Sequence, residues 1–268
     1  MMGPAGVSAG RWRRRAGASN LGIDEDSSAS AGRGTGTARI AAFFDIDGTL
    51  VGGASIWRGI WDYHFVKRRR RDRPIRFVFG NALRGARLAR RGASRDEFTA
   101  ASAEAVSTIF AGLTPAEARE MFVWIWQRTL LPGLRSDVVA RLREHRARGH
   151  LVALVSATLE GLVEIVAEQV GADAALGSRL EVADGRYTGR MLPQVCLGAH
   201  KAERARALLA QWGEVDLAAS FAYADSGHDA PLLELVGHPV AVYPDPSLHA
   251  LARARGWEVL GTPRPHHG

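Results

Sequence analysis

The chain has 268 residues, 46% of them hydrophobic and 24% charged, with a formal net charge of +7 and a single cysteine. That length suits one sizeable α/β core with an inserted unit, while the lone Cys196 excludes a disulfide framework and implies a reducing, cytoplasmic compartment. No apolar stretch reaches the length of a membrane span, since the longest candidate, around Met121 to Trp126, is interrupted too soon.

Residues 1–38 are rich in Gly, Ala, Ser and Arg and cannot bury enough apolar surface to fold, so a disordered basic tail is expected. No apolar core follows Arg11-Trp12-Arg13-Arg14-Arg15, which argues against a secretory signal. The first element is the charge-free run Ile40 to Phe44, the pattern of a parallel strand buried on both faces. It runs directly into Asp45-Ile46-Asp47-Gly48-Thr49-Leu50, which places two carboxylates at the end of the strand where open α/β sheets hold their ligands. A turn alone needs only one acid, and the mutual repulsion of two is resolved by a metal ion.

From about Ser55 to Leu131 the apolar positions recur at helical spacing, in Ile56, Trp57, Ile60 and Trp61, in Phe79 and Leu83, and in Met121, Phe122, Ile125 and Trp126. With helix starts at Ser94 and at Thr114-Pro115, this predicts an insertion of roughly four helices. The positive charge concentrates here, in Lys67 to Arg71 with Arg73, then Arg84, Arg87, Arg90 and Arg91. A solvated helix face is the simplest account. An anionic lipid surface is the sharper one, and no recognised motif supports nucleic acid.

Pro132-Gly133 marks the return to the core, followed by a helix over Asp137 to Arg148 and a buried strand over Leu151 to Val155. Ser156-Ala157-Thr158 then precedes a helix from Leu159 to about Val170, a place where a hydroxyl beside free amides binds phosphate oxygens. Asp184-Gly185 within Val182 to Thr188 predicts a small hairpin flap. Lys201 stands near the start of an amphipathic helix over Ala199 to Gln211. A third strand, Phe221 to Ala224, ends at Asp225-Ser226-Gly227-His228-Asp229, whose two acids suit a divalent cation. Taken singly, Ser156 reads as a helix cap, Lys201 as a solvated charge, and Asp225 with Asp229 as a cap and dipole partner of the following helix. Their joint order after Asp45 and Asp47 favours one shared site. Pro239 to Tyr243 reads as a late strand, Pro246 opens a helix to about Arg255, and Trp257 to Leu260 closes the sheet. His266 and His267 read as a frayed end rather than a metal site.

Over Ala38 to Gly261 the chain resembles the haloacid dehalogenase-like hydrolases, in the branch that holds the phosphoserine phosphatases, through Asp45 with Asp47, Ser156, Lys201, and Asp225 with Asp229. The resemblance implies a doubly wound, mainly parallel α/β core over residues 39–54 and 132–262, with residues 55–131 as a helical cap that selects the substrate. It implies a Mg²⁺-dependent phosphomonoesterase with Asp45 as nucleophile and Asp47 as general acid and base. Thr49, Ser156, Ala157 and Lys201 would bind the substrate phosphate. Asp45, Asp47, Asp225 and Asp229 would serve the metal, Asp47 through its main-chain carbonyl and Asp229 from just outside the ligand sphere. Phosphoserine phosphatases carry an acidic residue nine positions after the nucleophile to meet the substrate amine. Ala54 stands there, so a free amino acid ester is disfavoured, and His228 replaces the usual Asn. A small or lipid-linked phosphate ester is expected. A phosphotransferase or mutase would use the same aspartyl-phosphate with another acceptor, and a non-catalytic binding protein would keep only the scaffold.

Overall fold

The computed structural model describes residues 38–53, 56–67, 90–91, 105–193 and 195–264. The predicted N-terminal tail, Ala54, the helix start at Ser94, most of the basic cluster after Lys67 and the His266-His267 pair lie outside the described residues.

Six parallel strands form the central sheet: β1 (Ala41–Phe44), β2 (Leu151–Leu159), β3 (Ala174–Ser178), β6 (Phe221–Ala224), β7 (His238–Val242) and β8 (Glu258–Leu260). Their order is β3-β2-β1-β6-β7-β8, so the chain winds outward in both directions from β1. That doubly wound arrangement has its switch point at β1, the place such sheets use for ligands. All of β1 is fully buried, with Ala42 and Phe44 facing one hydrophobic cluster and Ala41 and Phe43 the other. A strand covered on both faces must be apolar at every position, which is why it reads as an unbroken run.

Helices α3 (Ser136–Ala147) and α4 (Glu160–Val170) cover the face of Phe44, and α5 (Ala199–Trp212), α6 (Ala230–Leu233) and α7 (Pro246–Arg255) cover the face of Phe43. In the insertion, α1 (Ile56–Asp62) leads into a π-helical turn over Tyr63–Lys67, and α2 (Pro115–Ile125) leads into another over Trp126–Leu130. Thr114 caps α2 with a complete capping box, as its sequence predicts. Phe122 of α2 packs on Gly161 of α4 so closely that a Cβ at Gly161 would lie 2.7 Å from the ring. The hairpin is β4 (Leu180–Ala183) and β5 (Arg186–Met191), turning through Asp184 and Gly185 at φ 50° and 70°. Tyr187 of β5 exchanges backbone hydrogen bonds with the insertion, accepting from Gly112 and donating to Leu113, each at 2.8 Å.

Two expectations are corrected. Strand β2 does not end at Val155 but continues through Ser156, Ala157 and Thr158, because β3 pairs with it as far as Leu159 across a register shift. The helix expected to follow Asp229 is only the four-residue α6, preceded by a 3-10 turn over Gly227–Asp229. Among the described residues no helix is long and apolar enough to cross a membrane.

Candidate active site

The register of the three central strands builds the site. Phe44 stands opposite both Leu154 and Tyr223, so the residues just beyond them emerge on one edge of the sheet. Asp45 extends the ladder by donating its amide to the Tyr223 carbonyl at 3.0 Å. The chain then turns sharply, with Gly48 donating to Val51 and Val51 to Ile46, each at 2.9 Å. This turn carries Asp47 across the mouth of the site.

Lys201 comes from the first turn of α5, whose apolar stripe of Ala202, Ala205, Leu208 and Leu209 faces the sheet. The ammonium is buried rather than solvated, at 3% exposure, and bridges Asp45 Oδ1 at 2.6 Å and Asp229 Oδ1 at 2.8 Å. On the other side, the Ser156 hydroxyl donates to Asp47 Oδ2 at 3.3 Å and accepts from the Thr158 amide at 3.1 Å. Asp45, Asp47, Ser156, Ala157, Lys201, Asp225, His228 and Asp229 all line one cleft of about 600 Å³. Thr49 does not: it is fully buried and turns its hydroxyl onto Asp225 Oδ1 at 3.4 Å, so it reaches the site through that carboxylate. A cleft of about 680 Å³ lies at the opposite strand ends, beside His238 and Glu258, and none of the sequence-predicted site residues lines it.

Two contributors escaped the sequence reading. Asp245 accepts from the Ser226 hydroxyl at 2.9 Å and from the amides of Gly227 at 3.3 Å and Leu248 at 2.8 Å, tying the Asp225 loop to the start of α7. Asp245-Pro246 directly after a strand is a helix-start signal that could have revealed it. Arg264, beyond β8, folds back so that one nitrogen lies 2.7 Å from Asp225 Oδ2 and 2.9 Å from the Asp225 carbonyl. Nothing local in Pro263-Arg264-Pro265 signals that return.

Burial sets the electrostatics. Asp45 is held well above the usual carboxylate range by desolvation; Lys201 opposes that shift, and the neighbouring Asp229, Asp225 and Asp47 add to it. Desolvation also raises Asp47, against the pull of Lys201 and the hydrogen bonds from Ser156 and Thr158. Asp225 is pushed up to about 6 by burial and Asp229, with Arg264 opposing. The Lys201 ammonium is stabilised despite its burial, because Asp229 and Asp45 surround it. Burial raises these carboxyls, and four crowded carboxylates still outnumber the two cations that reach them, Lys201 and Arg264.

A metal ion fits that deficit. Asp45, Asp225 and Asp229 each offer a carboxylate oxygen within 4.8 Å of the others, all three residues being buried. Such an all-oxygen anionic set suits a hard divalent cation of the Mg²⁺ kind.

The family model for haloacid dehalogenase-like hydrolases matches residues 42–234. A Mycobacterium tuberculosis protein named as a phosphoserine phosphatase is 32% identical over 222 residues, covering 82% of this chain and 70% of its own length. Among solved structures, a Bordetella pertussis protein of unknown function aligns with a TM-score of 0.69 at 30% identity, over 84% of this chain and 99% of that one. A phosphoserine phosphatase bearing an analogue of the phospho-aspartyl intermediate aligns at 0.56 and 21% identity, over 85% and 95%, and shares the fold.

Proposed function

The chain belongs to the haloacid dehalogenase-like hydrolases, as a phosphatase of that family, and from that premise we propose that it hydrolyses phosphate monoesters through an aspartyl-phosphate on Asp45, with Mg²⁺. The observation that carries this reading is the buried Lys201, whose ammonium meets Asp45 at 2.6 Å and Asp229 at 2.8 Å from a helix 156 residues downstream of Asp45. Taking a cation and two acids out of water is costly, and groups held that way cluster at functional sites.

In the proposed reaction an oxygen of the Asp45 carboxylate attacks phosphorus, and the ester oxygen leaves with a proton from Asp47. The raised proton affinity of Asp47 suits it to arrive protonated. Once the alcohol has left, Asp47 is ionised and takes a proton from the water that attacks the aspartyl-phosphate, returning Asp45 as a carboxylate. Lys201 would orient Asp45 and balance the charge on the transferred group, while the Ser156 hydroxyl, which donates to Asp47, would turn to a phosphate oxygen when substrate is bound. Asp45, Asp225 and the main-chain carbonyl of Asp47 would hold Mg²⁺, with Asp229 alongside. When bound, the ion neutralises the carboxylates and the developing phosphoryl charge.

Residues 55–131 are the proposed cap, whose closure would shut out bulk solvent and commit the bound phosphate ester. The relative's name suggests phosphoserine, whereas Ala54 in place of an acid argues for an ester without a free amine. A panel including phosphoserine, other small phosphate monoesters and a lysophosphatidate separates these choices, the last arm also testing the anionic lipid partner expected from the basic cluster. With the best substrate, Asp45→Asn is expected to abolish turnover and any phosphate trapped on the protein. Retained turnover in that variant would sink the mechanism.

A further inference from the structure

The contact between Arg264 and Asp225 carries a consequence for metal binding. Both oxygens of Asp225 are committed: Oδ1 accepts from Thr49 at 3.4 Å, and Oδ2 lies 2.7 Å from the Arg264 guanidinium. A divalent cation that uses Asp225 must therefore share an oxygen or displace a partner. Thr49 is fully buried in the turn after β1 and has nowhere to go. Arg264 differs in every respect that matters for displacement. Among the described residues it follows the last strand, its side chain is 40% exposed, and its main chain is held by one hydrogen bond, from its amide to the Pro244 carbonyl at 2.9 Å.

We propose that Arg264 is a positioning residue acting as a tethered counter-cation: it neutralises Asp225 in the metal-free protein and yields to the incoming divalent ion, so that it sets the metal affinity of the site. The inference rests on the proposed placement of that ion at Asp225. The physical basis is that two cations compete for one buried carboxylate, and like charges a few ångströms apart repel strongly where water is scarce. The same guanidinium also bonds the Asp225 carbonyl at 2.9 Å, which aims the carboxylate before metal arrives. Arginine suits the task because one guanidinium nitrogen reaches both Oδ2 and the carbonyl of Asp225, and the group cannot lose its charge.

The test is a Mg²⁺ titration by calorimetry on the full-length wild type, Arg264→Gln and Arg264→Lys, without substrate, with melting temperatures in chelator and in saturating Mg²⁺. Removing the charge in R264Q is expected to tighten Mg²⁺ binding roughly tenfold, with R264K near the wild type. R264Q should melt lower than the wild type in chelator and alike in saturating Mg²⁺. Unchanged or weaker Mg²⁺ binding by R264Q, or an equal loss of melting temperature in both conditions, would overturn the proposal. Turnover is not among the readouts, so a failure of the phosphatase reading appears in the Asp45→Asn experiment and a failure of this one in the titration.

Discussion

Gly48 is the tightest point of the site, and it ties two motifs that lie far apart in sequence. Its φ is +88°, a conformation that side chains rarely adopt, and a Cβ there would sit 2.0 Å from Asp225 Oδ2. The glycine thus allows the first turn to press its backbone against the acid of the third strand. Gly48→Ala is expected to displace Asp225 and the turn carrying Asp47 together, lowering kcat about 100-fold or more, since small misplacements of reacting groups carry penalties of that order. The backbone conformation alone costs about 1–2 kcal/mol of stability. Steady-state kinetics and urea unfolding of the variant measure both, and an alanine variant with wild-type kcat would disprove this account of the turn.

At the scale of elements, α7 owes its place to the site as much as to the core. Asp245 caps it by accepting from Leu248, gathers Ser226 and Gly227 with the same carboxylate, and donates its own amide to the Asp225 carbonyl at 2.8 Å. Burial opposes the charge on Asp245, but the donors from Leu248, Ser247, Ser226 and Gly227 prevail and hold its carboxyl below the usual range. Asp245→Ala should therefore cost about 1–3 kcal/mol in urea unfolding and lower kcat more than it changes KM. Asp245→Asn, which keeps the cap but not the charge, should recover most of the stability. The elements also show what a sequence can display. Strands β1, β6 and β7 were legible because burial on both faces forces continuous apolar runs, and Lys201 was placed by the apolar stripe of its helix. Strand β3, Ala174-Ala175-Leu176-Gly177-Ser178, has mostly small residues and no β-branched or aromatic ones, and the polar end of β2 looks like a loop until β3 pairs with it. Arg264 was invisible for a related reason: its meaning depends on where the chain returns after β8, which no local pattern encodes.

Across the whole molecule, the two ends of the sheet respond to acid in opposite senses. At the catalytic end Asp225 is raised to about 6 from an ordinary 3.8, so in the metal-free protein the folded state takes up this proton first, which favours folding as pH falls through that interval. At the other end His145 of α3 is buried among aromatic rings, its Nε2 2.8 Å from the Tyr223 hydroxyl and its Nδ1 2.8 Å from Nδ1 of His150. Desolvation lowers its pKa from 6.5 to about 4; His150, Arg148 and Arg141 assist and Glu144 opposes. Well above pH 6.5 the imidazole is neutral in both states and contributes no pH dependence. Between 6.5 and about 4 the unfolded chain binds the proton and the folded chain does not, so stability falls as pH falls, by about 1.4 kcal/mol per pH unit at most. His145→Gln removes the titration while a side-chain amide can still pair with Tyr223. Because His145 touches none of the site carboxylates, subtracting the variant's unfolding free energy from that of the wild type removes most of their contribution. That difference, from urea unfolding in chelator between pH 7 and 4.5, should decline steadily below about 6.5. Parallel curves would mean that His145 takes up its proton in the folded protein as readily as in the unfolded chain.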